Sequence, residues 1–180
     1  MGHRDVLIRR ATPSDVGALQ TLIERSARGL SGGFYTPEQI EGAIRYVFGV
    51  DSLLIADRTY YAAVSGTTIV GCGGWSKRAT LYGGDQAGRR SADLLDPLRD
   101  AARIRAFFVA PTHARSGVGS LILEASESAA RAAGFRRIEL MATLPGVPFY
   151  ASRGYVASMR TRDALPDGTT LELVRMERSL

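Results

Sequence analysis

Two glycines, Gly117 and Gly119, stand a few residues after Pro111 and just ahead of a helical apolar pattern, and that spacing suits anion binding. A helix N-terminus leaves several backbone N–H groups without partners inside the helix and carries the positive end of its dipole. Such an end attracts a phosphate or pyrophosphate. Lacking a Cβ, the two glycines let the main chain approach the anion closely. Taken alone, a Gly-x-Gly at a helix start is also read as a plain helix start with small residues.

The elements around this turn are legible on both sides. Residues 104–109 are rich in β-formers and stop at Pro111, so they are predicted to form a strand. Val118, Leu121, Ile122, Ala125, Ala129 and Ala132 recur at helical spacing, and Gly134 occupies the place of a C′ glycine. Upstream, residues 6–11 read as a strand, and Thr12-Pro13-Ser14-Asp15 offers a cap to a helix with Val16, Leu19, Leu22 and Ile23 on one face. Gly and Ser dominate residues 29–34, a loop, and Thr36-Pro37-Glu38-Gln39 opens a second helix. Residues 53–56 and 60–64 are strand material, and a turn at 65–67 leads into a strand over 68–75, where glycines ahead of Trp75 signal a bulge or close backbone approach.

A polar insertion over 76–100, with a short helix over 91–99, is expected to border a substrate site or a subunit contact. Residues 137–142 form the next strand, parallel to the one ending at Val109 because a whole helix separates them. Residues 156–162 and 170–176, joined by a turn at 165–168, form a final hairpin. A hairpin beside a crossover implies a mixed sheet.

Two runs carry a resemblance. Val109, Pro111, Gly117 and Gly119 match motif A of the GCN5-related N-acetyltransferases (GNAT) in register, with Ala114 in the usual Arg or Gln position and Arg115 one place later. Phe149-Tyr150 and Gly154-Tyr155 are similar to motif B, with Thr143 for its Asn and Gly146 for its Ala. The resemblance spans nearly the whole sequence and implies one mixed α/β domain over residues 1–180. Its central sheet would be mostly antiparallel, of six to seven strands, splayed at the acyl-CoA site and flanked by about four helices.

The activity implied is transfer of an acetyl group from acetyl-CoA to a primary amine of a small molecule, amino acid or peptide, by direct attack. Phe107, Phe108 and Val109 would meet the carbonyl and pantetheine through their main chain. Ala114, Arg115, Ser116, Gly117, Val118, Gly119 and Ser120 would cradle the pyrophosphate, and Thr143 would lie on the same cofactor. Tyr150 is the expected proton donor to the departing thiolate, its alternative being a pocket-lining aromatic. Phe34, Tyr35 and Glu38 are substrate-side candidates that also read as loop and cap residues, and Trp75 either lines a pocket or fills the core. Arg105, if turned toward the acceptor, would pair with a substrate carboxylate or phosphate; the other reading is a solvent-facing arginine. Glu38, Glu139, Glu172 or a water chain are open as the base.

Composition narrows the classes. Forty-five per cent hydrophobic content over 180 residues supports one sizeable core. No run approaches the roughly 20 apolar residues of a membrane span, and no signal-peptide core or myristoylation pattern follows Met1-Gly2, which points to a cytoplasmic protein. One cysteine, Cys72, and two histidines, His3 and His113, supply neither a disulfide nor a metal cluster. The net charge of +5 is scattered rather than gathered in a tract, against a nucleic-acid partner. A homodimer would form on edge strands or the final hairpin. Two rivals stay open: a non-catalytic acyl-CoA-binding regulator, and an acyltransferase acting on a protein terminus or charged tRNA.

Overall fold

The computed structural model describes residues 6–88 and 90–180, so His3 and the Met1-Gly2 start lie outside the described residues. Seven strands form one sheet in the order β1-β2-β3-β4-β5-β7-β6: β1 Val6–Arg10, β2 Tyr60–Ser65, β3 Thr68–Ser76, β4 Ala102–Val109, β5 Arg137–Thr143, β6 Val156–Ala164 and β7 Thr170–Ser179. Every pairing is antiparallel except β4 with β5, as the helix-length crossover between them requires.

Among the described residues, five α-helices flank the sheet: α1 Val16–Leu30, α2 Pro37–Tyr46, α3 Ser52–Ala56, α4 Val118–Ala132 and α5 Val147–Ser152. Helix α1 buries Leu19, Leu22, Ile23, Ser26 and Ala27 along one stripe. Its start is fixed by Asp15, which accepts from the Thr12 amide and pairs with Arg9 at 2.8 Å. Thr36 and Gln39 form the reciprocal cap of α2, with Pro37 in the first turn.

Helix α4 buries Val118, Ile122, Leu123, Ser126, Glu127 and Ala130, a face rotated slightly from the apolar stripe, so that Ala132 is exposed. Its Val118 and Ile122 press on β3 at Gly71, where an added Cβ would fall 2.6 Å from Val118 Cγ1. Close packing of helix on sheet therefore depends on that glycine. Gly134 stops the helix at φ 95°, the left-handed C′ geometry.

Two local expectations are overturned. Residues 53–56 lie in α3, not in a strand, because the Asp51 side chain accepts from the Leu53 amide at 3.0 Å and caps a short helix. Residues 91–99 do not form a helix. Arg78 and Leu94 make an isolated antiparallel bridge, and the Asp96 carboxylate takes the Leu98 amide at 2.9 Å, closing a turn in place of a helical start. No helix among the described residues is long and apolar enough to cross a membrane.

Candidate active site

The site begins where the sheet fails to close. Strands β4 and β5 pair only at Ala102 with Ile138 and Arg103 with Glu139. Beyond that rung they diverge, and a cleft of about 860 Å³ opens between them. One wall is residues 104–109 of β4 and the other is residues 140–143 of β5 with α5. The predicted splay is thus present, its last rung tied by Glu139, which is buried and ion-paired to both Arg103 and Arg175.

At one end of the cleft lies the turn into α4. Arg115 and Gly117 both take left-handed backbone angles, φ 60° and 86°, and Gly117 is the cap of the helix. Alternating handedness of this kind turns successive amides toward one concavity. Ala114, Ser116 and Leu121 donate to Pro111, His113 and Gly117 carbonyls, whereas the amides of Arg115 and of Gly117 through Ser120 enter no turn or cap bond among the described residues. His113, Arg115 and Arg153 add basic side chains to the same end, and Arg153 donates to Ser120 Oγ. Charge, amides and room together fit a pyrophosphate.

At the middle of the cleft, β4 carries a bulge. Its register against β3 slips between Cys72–Phe108 and Gly74–Arg105, and Ala106 there has φ 49°. The Ala106 carbonyl is held toward β2 and β3, accepting from Tyr60 Oη at 2.9 Å and from Cys72 Sγ at 3.9 Å. No peptide bond is cis among the described residues, and a trans peptide points its N–H opposite to its carbonyl. The Phe107 N–H is consequently turned toward the gap. Burial pushes the Cys72 thiol up to about 12, which suits a packing residue that donates and not a nucleophile.

Across the gap stands Tyr150. Its ring sits edge-on to Phe107 at 6.1 Å, to Phe149 at 5.1 Å and to Tyr155 at 5.6 Å. Tyr155 is engaged, donating to Glu127 Oε1 at 2.8 Å. Tyr150 lines the cleft and its hydroxyl makes no hydrogen bond to a described residue. Burial pushes its phenol above the ordinary value, so it holds its proton at neutral pH and can donate it.

The expected site residues separate into two groups. Phe107, Phe108, Val109, Ala114, Arg115, Gly117, Gly119, Ser120, Thr143 and Tyr150 all line this one cleft, while Ser116 and Val118 belong to the same turn and Val118 is buried beneath it. Phe34 lines it as well. Tyr35 does not: its hydroxyl donates to the Glu172 carbonyl at 2.6 Å and accepts from the Leu144 amide at 2.9 Å, so it is a buried tie between β7 and the end of β5. Glu38 is exposed on the first turn of α2, outside the cleft lining. Trp75 is core, buried edge-on against Phe135 at 5.9 Å.

Arg105 lines the cleft, and its burial corrects the solvent-facing reading. Its guanidinium donates to Asp51 Oδ2 at 2.8 Å, to the Thr80 carbonyl at 2.9 Å and to the Gly83 carbonyl at 2.6 Å. With its fork spent on these three acceptors, it fixes the 80–83 segment as a wall. Glu139 is locked between two arginines and Glu172 pairs with Arg160 and Arg162 at 3.0 and 3.5 Å, so neither is placed as a base in the cleft.

Sequence reasoning missed Phe48, Leu81, Tyr82 and Arg153, which also line the cleft. Arg153 was findable, lying three residues past Tyr150 at the C-cap of α5. The expectation that the 76–100 insertion borders the site holds through residues 81–84.

Comparison with known proteins agrees with this geometry. Residues 26–155 match the model of the Acetyltransferase (GNAT) family. Among solved structures, a GCN5-related N-acetyltransferase from Rhodopseudomonas palustris superposes with a TM-score of 0.74 at 23% identity, over 100% of this chain and 99% of that one. PaiA N-acetyltransferase of Thermoplasma acidophilum, in complex with coenzyme A, gives 0.65 at 14% identity, over 97% and 99%. YncA of Salmonella typhimurium, with acetyl-CoA, gives 0.63 at 15%, over 97% and 94%. No curated protein matches the sequence.

Proposed function

We propose that this chain, which belongs to the GNAT family of acetyltransferases, moves the acetyl group of acetyl-CoA to a primary amine of a small molecule, amino acid or peptide in the cytoplasm. The observation that carries the reading is the rotated Ala106–Phe107 peptide, which aims an N–H into the cleft beside a protonated, unengaged phenol.

Acetyl-CoA supplies a thioester carbonyl and a thiol leaving group. For that chemistry the chain's own groups divide the work. The Phe107 N–H receives the carbonyl oxygen as it gains negative charge, and one such donor contributes about 2.7–4 kcal/mol in the transition state. The main chain of Phe108 and Val109 pairs with the pantetheine arm, on the edge of β4 left open by the splay. The amides of Arg115, Gly117, Val118, Gly119 and Ser120, with Ala114, Ser116 and Thr143 beside them, hold the pyrophosphate end. Tyr150 gives its proton to the departing sulfur. Because the amine attacks directly, Cys72 takes no part.

Calorimetric titration with acetyl-CoA tests the reading. Binding in the micromolar range by the wild type, lost in Gly117→Glu, is expected, since a carboxylate would fill the anion's place on a backbone already in the left-handed region. A folded wild-type protein that binds no acetyl-CoA refutes it.

A further inference from the structure

The cleft lining is of two kinds. His113, Arg115 and Arg153 are its basic residues at the turn into α4 and just beyond α5, whereas Phe34, Phe48, Leu81, Tyr82, Phe108 and Met141 give it a broad apolar and aromatic surface. Phe48 and Phe108 meet edge to face at 5.6 Å, and Phe34 leaves half of its surface open, at 50% exposure. No Asp or Glu lies among the described residues that line the cleft. Arg105, in the lining, is engaged with Asp51 and two carbonyls, and Asp163 accepts from the Tyr82 hydroxyl.

A substrate carrying several ammonium groups would find no carboxylate in the lining to pair its extra charges, and ring faces return only part of the cost of desolvating each cation. An alkyl or aryl body gains by burying apolar surface against the same wall. We infer that the acceptor is a monoamine with an apolar alkyl or aryl body, held by the Phe34, Phe48 and Tyr82 wall, and not a polyamine. This rests on the amine-acetylation reading above.

The step balances simply: the neutral amine nitrogen bonds to the acetyl carbon, the carbon–sulfur bond breaks, the nitrogen loses one proton to water, the sulfur takes one from Tyr150, and the Tyr150 phenolate regains one from water. The products are an amide and a free thiol.

The test measures thiol release at saturating acetyl-CoA for propylamine, butylamine, pentylamine, hexylamine, phenethylamine and spermidine, with acetyl-CoA affinity measured separately. Expected is a rise in kcat/KM of about fourfold per methylene, from the transfer free energy of a buried CH₂. Phenethylamine and hexylamine should exceed spermidine by at least about tenfold. In Phe34→Glu, a substitution at a half-exposed position, hexylamine should fall about tenfold and spermidine should rise, with acetyl-CoA affinity unchanged. A flat homologous series, or spermidine faster than hexylamine, overturns the inference alone. Bound acetyl-CoA with no transfer to any amine overturns the amine reading itself, and this inference with it.

Discussion

Replacing Tyr60 with phenylalanine removes one oxygen, from a ring that is fully buried, and isolates what that oxygen does. Tyr60 Oη donates to the Ala106 carbonyl at 2.9 Å; without it the carbonyl keeps only the thiol of Cys72, a weak donor at 3.9 Å. An unsatisfied buried acceptor costs about 1–3 kcal/mol. At about 2–4 °C per kcal/mol for a domain of this size, Tm should fall by roughly 2–12 °C. The kinetic effect is separable. With its carbonyl released, the Ala106–Phe107 peptide can rotate back toward regular strand geometry, and the Phe107 N–H then turns away from the gap. Complete loss of such a donor costs about 2.7–4 kcal/mol, or 10²–10³ in rate, which bounds the effect from above. A fall in kcat of about 10–100-fold is expected, with acetyl-CoA affinity within about threefold of wild type. Thiol release at saturating substrates, read beside calorimetric affinity and thermal melting, makes the comparison. A lowered Tm with unchanged kcat would falsify the link between the bulge and the oxyanion.

Tyr150→Phe keeps the ring contacts and removes only the proton, so kcat should fall about 10²-fold with cofactor affinity intact; full activity in the variant excludes the phenol as donor. Burial raises this phenol above its ordinary 10.0, and the protonated form works, so wild-type kcat should show no loss from its ionisation as pH rises to about 10. An alkaline limb that appears well below pH 10 and vanishes in Tyr150→Phe contradicts that environment. Asp51→Asn leaves buried Arg105 and its neighbour Arg90 without their shared carboxylate, a change worth about 3–5 kcal/mol. Because Arg105 also holds the Thr80 and Gly83 carbonyls, the variant should raise amine KM more than acetyl-CoA Kd. Equal effects on both ligands would show that the 81–84 wall is not what the pair positions.

What was legible in the chain was local. Pro111 through Ser120 is one contiguous run, so a strand end, a left-handed glycine and an open helix start are written side by side. The same holds for the Thr36-Pro37-Gln39 cap and for Phe149-Tyr150 on its short helix. The parallel pairing of β4 with β5 followed from the crossover, and the splay from the family resemblance. Illegible were contacts between distant residues. Arg105 finds Asp51 across 54 positions and Tyr60 finds Ala106 across 46, and neither pair leaves a periodic signature. Residues 53–56 failed for a related reason. A short apolar run fits strand and helix equally, and the Asp51 side chain settles it.

The distinction carries into function. The anion end of the cleft is built from main-chain amides, which constrain conformation at Arg115 and Gly117 but little side-chain identity. The apolar part of the lining is built from side chains that separate loops bring to the cleft, Phe34 before α2, Phe48 after it, and Leu81 and Tyr82 from the segment clamped by Arg105. Substitution in those loops can alter what the amine meets without disturbing either the bulge or the cradle. If the amine is held as proposed, its recognition resides in residues 34, 48 and 81–84, where one added charge such as Phe34→Glu changes the polarity of the lining while β4 keeps its backbone geometry.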